Sequence, residues 1–316
     1  MTSTYQIALL PGDGIGQEVI PAGRQVLELA AEVLGGFRLH FREFDWGTSY
    51  HLRHQRMMPP DALKTLADFE AIYLGAVGLP GAVPDHVTLW GMLLPIRKGF
   101  EQYINLRPVR LLPGVQGPLR SKGPEDIDFV CVRENTEGEY SGAGGRVHIN
   151  TPNEVAVQTS VFTRLAVERV MRYSFELARS RPRHKLTSAT KSNACQYSMV
   201  FWDEVFEELA AEYPDVQTEK WHVDALAARF VTHPQTLDVV VASNLFADIL
   251  TDLGGALQGS LGIPPSANLN PERRYPSMFE PVHGSAPDIA GKGIANPAAT
   301  IWAGAMLLEH LGQAEA

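Results

Sequence analysis

The sequence predicts an α/β protein with a largely parallel sheet, and three observations carry that expectation. Short apolar runs of strand length alternate with helical patterns along most of the chain. Glycine- or proline-rich turns separate many of them, as strand-to-helix connections require. With 316 residues, 45% of them hydrophobic, the chain is long enough for two domains and a sizeable core.

Taken in order, Tyr5–Leu10 reads as a strand ending in the turn Pro11-Gly12-Asp13-Gly14-Ile15-Gly16. Ile15, Val19, Ala22, Val26, Leu29 and Val33 then recur at helical spacing, and Pro21 is expected to bend that helix. A dinucleotide fingerprint needs glycines at its first, third and sixth positions; counted from Gly12 or Gly14, the sixth is Gln17 or Val19. Glu70–Leu74 reads as a strand stopped by Gly75, Met92 to Tyr103 as a helix, and Ile127–Val132 as a strand. Tyr140 to Thr151 has a loop composition, and Glu154–Val161 alternates as a hairpin strand does. Phe162 to Ala178 reads as a long helix closed by the basic turn around Pro182. Next come a strand from Lys185, a helix over Met199–Tyr213, a buried strand at Leu237–Ala242 and a helix from about Leu245 to Gln258. Ile263 to Pro276 reads as a Pro/Asn-rich loop. The Gly/Pro-rich segment His283 to Pro297 has the length and irregularity of a binding loop.

A formal net charge of −9 lacks the field that attracts nucleic acid or anionic lipid, so neither is expected as a partner. Two cysteines cannot make a disulfide framework, and no apolar run approaches the ~20 residues of a membrane helix. With a polar N-terminus, the expectation is a soluble cytoplasmic protein that binds neither nucleic acid nor membrane.

Asp248 and Asp252 share one face of the helix after a buried strand, and paired carboxylates suit Mg²⁺ or Mn²⁺. The alternative is a solvated acidic face, but apolar neighbours cover most of this helix. Arg97, Arg107 and Arg133 stand outside charge runs, and converging arginine forks would suit a dicarboxylic acid. Singly, each reads equally well as a surface or ion-pair arginine. Tyr140, Lys191 and Asp224 say nothing in isolation.

Together these residues resemble the metal-dependent β-decarboxylating dehydrogenases, the isopropylmalate, isocitrate and tartrate or D-malate group. The resemblance runs from Ile7 to Ala305 and is most specific at Val132-Arg133-Glu134-Asn135-Thr136-Glu137-Gly138-Glu139-Tyr140 and along His283 to Pro297. Val83 to Gly91, Thr190-Lys191-Ser192-Asn193 and Glu280-Pro281-Val282-His283 look most like the tartrate/D-malate branch.

The resemblance implies a two-domain, non-Rossmann fold of the isopropylmalate dehydrogenase type, in a homodimer with a cleft between domains and active sites shared between subunits. A large nucleotide-binding domain would take 1–102 and 255–316, and a small dimerisation and metal/substrate domain 103–254, with Tyr140–Val161 as an intersubunit arm. It implies NAD-dependent oxidative decarboxylation of a small 2-hydroxy dicarboxylate. Asp248 and Asp252 would hold Mg²⁺ or Mn²⁺ with the partner subunit's Asp224, and K⁺ is a further candidate ion. Arg97, Arg107 and Arg133 would bind substrate carboxylates. The partner subunit's Lys191 would take the hydroxyl proton and Tyr140 protonate the enolate carbon. Asn193, His283, Gly284, Ser285, Ala286, Asp288, Ile289 and Asn296 would line the cofactor site, Asp288 favouring NAD because its carboxylate repels a 2′-phosphate.

Trp90, Leu93 and Leu94 share a helical face with Arg97 and are expected to wall a space for four-carbon acids. Alternatives are a 3-isopropylmalate dehydrogenase of leucine biosynthesis and a non-catalytic dicarboxylate or NAD binder. Ala247 stands where the family has glycine, and its methyl is expected to crowd the metal site. The chain also ends before its relatives do, so part of the first domain's apolar surface is expected to be exposed or covered otherwise.

Overall fold

A computed structural model describes residues 3–316. The chain divides into two compact units, Met1–Pro108 with Gln258–Ala316, and Val109–Leu257.

The first unit opens with β1 (Ser3–Gly12), α1 (Gly16–Leu34) and β2 (Phe37–Glu43), followed by α2 (Thr48–His54), α3 (Ala62–Leu66) and β3 (Ala71–Ala76). α4 (Asp85–Thr88), a π-helical turn (Leu89–Leu93), α5 (Leu94–Gly99) and β4 (Ile104–Arg110) complete its first part. Its strands lie in the order β2-β1-β3-β12-β11-β4, where β11 is Pro265–Leu269 and β12 Ser277–Pro281; α10 (Ala298–His310) ends the unit. β2, β1, β3 and β12 run parallel, and β11 is antiparallel to both neighbours. Every residue of β3 is buried, so its run is apolar on both faces, as a covered parallel strand must be.

α1 corrects the sequence expectation. Its buried face is Gly16, Val19, Ile20, Gly23 and Leu27, whereas Val26, Leu29 and Val33 are exposed. Gly23 sets that face: a Cβ there would stand 2.2 Å from the Tyr73 hydroxyl, so only glycine lets the helix lie this close to β3. Pro21 sits inside the helix without ending it.

The expected helix from Met92 to Tyr103 is corrected at both ends. Helical structure begins at Asp85, and Pro95, which lacks an N–H, follows the π turn that Leu94 N closes onto Leu89 O. The helix stops at Gly99, before Glu101 at φ +46°. The loop expected over 263–276 also contains a strand, because β11 pairs on both sides.

The second unit contains β5 (Asp128–Glu134), β6 (Gly138–Val147), β7 (Val155–Val161), α6 (Arg164–Ser180) and β8 (Lys185–Thr190). Next come α7 (Ser198–Ala210), β9 (Gln217–His222), α8 (Val223–Thr232), β10 (Val239–Ala242) and α9 (Asn244–Leu257). Here the strands follow the order β5-β10-β8-β9, all parallel. α9 packs Ala247, Leu250 and Leu257 into an apolar cluster with Phe129, Cys131, Phe230 and Val240. Most of the segment expected as a loop at 140–151 is instead β6, paired with β7 in a separate ribbon. Val147, Val155 and Val157 of that ribbon are exposed. Sequence periodicity missed β9, whose Gln-Thr-Glu-Lys-Trp-His is too polar to read as a strand; it pairs only at the edge, on β8.

Candidate active site

In the second unit, functional side chains gather at the C-terminal ends of β5 and β10, where α/β proteins bind ligands. Arg133 is the penultimate residue of β5, and β10 runs almost directly into α9, which carries Asn244, Asp248 and Asp252. The Arg133 side chain is 3% exposed; its Nη1 pairs with Asp248 Oδ1, and its Nε donates to Asn244 Oδ1 at 2.9 Å. Tyr140 donates its hydroxyl to Asp248 Oδ2 at 3.0 Å, and the Arg133 guanidinium lies 5.5 Å from the Tyr140 ring centre. Sequence-predicted Arg133, Tyr140 and Asp248 are therefore one interlocked group. Beside it, Glu134 is fully buried and accepts from Thr136 N, Thr136 Oγ1 and Glu137 N at 2.7–2.9 Å. Burial pushes its carboxyl above the usual range against those bonds.

Asp252 lies one turn beyond Asp248, exposed. The Ala247 methyl is buried in the apolar cluster with Leu250. Lys191 and Asp224 form a second group, Nζ to Oδ1 at 2.6 Å, and this hydrogen bond holds the Asp224 carboxyl below the usual carboxylate range. Among the described residues, no three His, Cys, Asp or Glu side chains converge as a cation site. Asp248, half-buried and held by Arg133 and Tyr140, and the exposed Asp252 carry oxygen-only donors, the chemistry Mg²⁺ and Mn²⁺ take.

In the first unit, Arg97 and Arg107 are both buried. Arg97 Nη2 pairs with Glu280 at 2.9 Å, and Arg107 Nε donates to Asn105 Oδ1 at 2.8 Å. Trp90 is 43% exposed with the Lys98 ammonium 5.0 Å from its ring centre, Leu93 is half-buried and Leu94 is buried. The π turn between Trp90 and Leu94 shifts the face expected from a 3.6-residue period.

The segment His283 to Pro297 is a loop, as expected, and it is anchored to the start of α1. Ile15 N donates to Ser285 O at 2.8 Å, and Glu18 accepts from Gly291 N and Gly293 N at 2.6 and 3.0 Å. Gly14 makes this approach possible: its φ is +55°, and a Cβ there would stand 2.0 Å from Ser285 O. The strand-to-helix glycines thus bind a loop of their own chain. Ala286 takes φ +40°, Asn296 Oδ1 accepts from Ala298 N at 3.0 Å at the start of α10, and Gly284 and Asp288 are exposed. Ile289 N closes a turn onto Ala286 O, and Asn193 sits exposed in the turn after β8. His283 Nδ1 contacts Gly284 O at 2.9 Å, and burial lowers its pKa. That contact assigns the proton to Nδ1, leaving Nε2 a buried acceptor with no partner among the described residues. An adenosine amine or a ribose hydroxyl is the kind of donor it lacks.

Sequence reasoning passed over Asn244, Asn105, Asn268 and Glu280 as site residues. The signal for Asn105 was its place two residues before Arg107, on the same face of a strand.

The family model for isocitrate/isopropylmalate dehydrogenases matches residues 6–316. The chain is 60% identical over 316 residues to the D-malate dehydrogenase [decarboxylating] of Escherichia coli (strain K12), spanning 100% of this chain and 87% of that one. It is 56% identical over 314 residues to the tartrate dehydrogenase/decarboxylase of Pseudomonas putida, spanning 99% and 86%. The crystal structure of isocitrate dehydrogenase from Methylococcus capsulatus superposes with a TM-score of 0.88 at 34% identity, over 98% of this chain and 87% of that one. The chain belongs to the isocitrate/isopropylmalate dehydrogenase family.

Proposed function

We propose that this protein oxidatively decarboxylates a small 2-hydroxy dicarboxylic acid, D-malate or a tartrate, in a homodimer. The observation that carries this reading is the Arg133–Tyr140–Asp248 group: an anchored guanidinium, a phenol and a metal-type carboxylate interlocked at strand ends. The names of the relatives, D-malate dehydrogenase and tartrate dehydrogenase/decarboxylase, support the substrate class.

Arg97, Arg107 and Arg133 bind the two carboxylates of the acid. Lys191 takes the proton from its 2-hydroxyl. Tyr140, whose hydroxyl already donates to Asp248, gives a proton to the enolate carbon after CO₂ leaves. Asp248 and Asp252 would hold Mg²⁺ or Mn²⁺, which would supply positive charge for the ketone oxygen, and NAD would supply the hydride acceptor. Lys191 and Asp224 are joined to each other, and among the described residues of one chain no third acidic partner converges with Asp248 and Asp252. This supports their delivery, as a pair, from a second subunit. The exposed valines of the β6/β7 ribbon are apolar surface that such a subunit would cover. The exposed Asp288 carboxylate favours NAD over NADP, and His283 to Asn296 would hold the adenosine. The test is NADH formation from D-malate with Mn²⁺, with and without EDTA: metal-dependent turnover is expected, and full activity in EDTA refutes the metal assignment.

A further inference from the structure

Beside the two arginines of the first unit lies a layer of polar side chains where a covered sheet ordinarily carries hydrocarbon. Asn105 and Arg107 share one face of β4. Register sets Asn105 directly opposite Asn268 of β11, and Ser266 of β11 opposite Glu280 of β12. The side chains connect in one line. Arg107 Nε donates to Asn105 Oδ1 at 2.8 Å, Asn105 Nδ2 to Asn268 Oδ1 at 2.8 Å, and Asn268 Nδ2 to Glu280 Oε1 at 2.7 Å. Arg97 Nη2 reaches the same Glu280 oxygen at 2.9 Å, and Asn105 Nδ2 also donates to Ser266 Oγ at 2.8 Å. Asn105 and Asn268 are 0% exposed, and none of the other members exceeds 7%.

Stability does not account for this layer. Apolar groups of the same shape would serve about as well, because each buried amide must first recover its lost hydration. The arrangement is directional instead: every amide donates onward toward Glu280, and both arginines feed into the line from its ends. Arg97 Nε is buried and has no partner among the described residues, which leaves a donor for an incoming oxygen.

We infer that Asn105 is a positioning residue common to Arg97 and Arg107. Its Oδ1 fixes the Arg107 fork, and its Nδ2 fixes the Arg97 fork through Asn268 and Glu280. The two carboxylate-binding forks are thereby held in one mutual geometry, suited to a diacid of one length. This inference rests on the proposed role of Arg97 and Arg107.

The test is a set of double-mutant cycles on kcat/KM for D-malate at saturating NAD and Mn²⁺, using Asn105→Asp, Arg97→Lys and Arg107→Lys. Asn105→Asp keeps size and the acceptor for Arg107 but turns the donor facing Asn268 into an acceptor. Each arginine change should lower kcat/KM about tenfold or more, since lysine has no fork. Asn105→Asp should raise KM for D-malate about tenfold while KM for NAD stays within about twofold, a split that general damage would not produce. In the Asn105→Asp background, Arg97→Lys should cost at least about fivefold less than in the parent, although Arg97 and Asn105 are three hydrogen bonds apart. Additivity of that pair overturns the shared line and leaves the proposed function standing. Arginine variants with unchanged kcat/KM overturn both. If Asn105→Asp fails to fold, Asn105→Ser, too short to reach Asn268, enters the same cycles with the same expectations.

Discussion

Replacing Asp248 by Asn removes one negative charge facing a guanidinium that is 97% withdrawn from solvent, and the structure sets the size of the effect. Removing one partner of a buried ion pair costs about 3–5 kcal/mol. The Asp248 side chain, however, is 38% exposed, so water screens the charge left on Arg133, whose side chain is 3% exposed. Asparagine still offers one carbonyl oxygen to Arg133 or Tyr140, and Asn244 still accepts from Arg133 Nε. The expected loss is therefore about 1–2 kcal/mol, a fall in Tm of roughly 1.5–3 °C for a protein of this size. Turnover should fall much further, by about 10²–10³, because a carboxylate proposed to hold the metal ion is lost. Asp252→Asn separates the two effects: at an exposed position it should cost about 0.5 kcal/mol or less and still suppress turnover comparably. Calorimetry in EDTA and initial rates with Mn²⁺ measure both quantities. An Asp248→Asn protein with parental turnover, or an Asp252→Asn protein with parental turnover, refutes the metal role.

Asp288→Lys should narrow a strong preference for NAD by removing like-charge repulsion of the 2′-phosphate, and equal kcat/KM for both cofactors in the parent contradicts that role. Lys191→Ala and Asp248→Asn should each be nearly inactive, yet a 1:1 mixture reassorted at random should regain roughly a quarter of parental activity, since about half its dimers are mixed and one of the two sites in each is intact. No recovery excludes sites shared between subunits. His310 has its pKa lowered from 6.5 to about 4 by burial and then by the charge of Arg273. The unfolded chain therefore binds the proton more readily than the folded one, so this stability is full above about pH 6.5 and lost as pH falls toward 4, with an upper limit of about 3 kcal/mol. Denaturant titrations of the parent and His310→Phe should show a shallower acid slope in the variant, and identical slopes contradict the assignment.

Much of the architecture was legible because burial leaves a strong signature. β1, β3, β5 and β10 are nearly continuous apolar runs, and α6 and α9 carry helical periodicity. β9 was silent because an edge strand needs no apolar face, and the exposed stripe of α1 misled because Gly23, not a large side chain, sets its packed face. Within the site, the structure gathers Arg133 and Tyr140, which share one long motif, with Asp248, which the helical pairing with Asp252 singled out. Asn268 and Asn244 could not be read, since each is a single amide whose partner lies far away in sequence, as Asn268 lies from Asn105 across the β4/β11 pair. Their meaning lies in strand register and strand-end geometry, which no local pattern records.

The central claim, oxidation coupled to loss of CO₂ at a metal- and NAD-dependent site, is tested most directly by product stoichiometry. D-malate, NAD and Mn²⁺ are incubated with the protein, and NADH, pyruvate and CO₂ are measured together. NADH, pyruvate and CO₂ appearing in equal amounts, all abolished by EDTA and restored by Mn²⁺, is the result this account predicts. NADH without CO₂, or equal yields that survive EDTA, would contradict it.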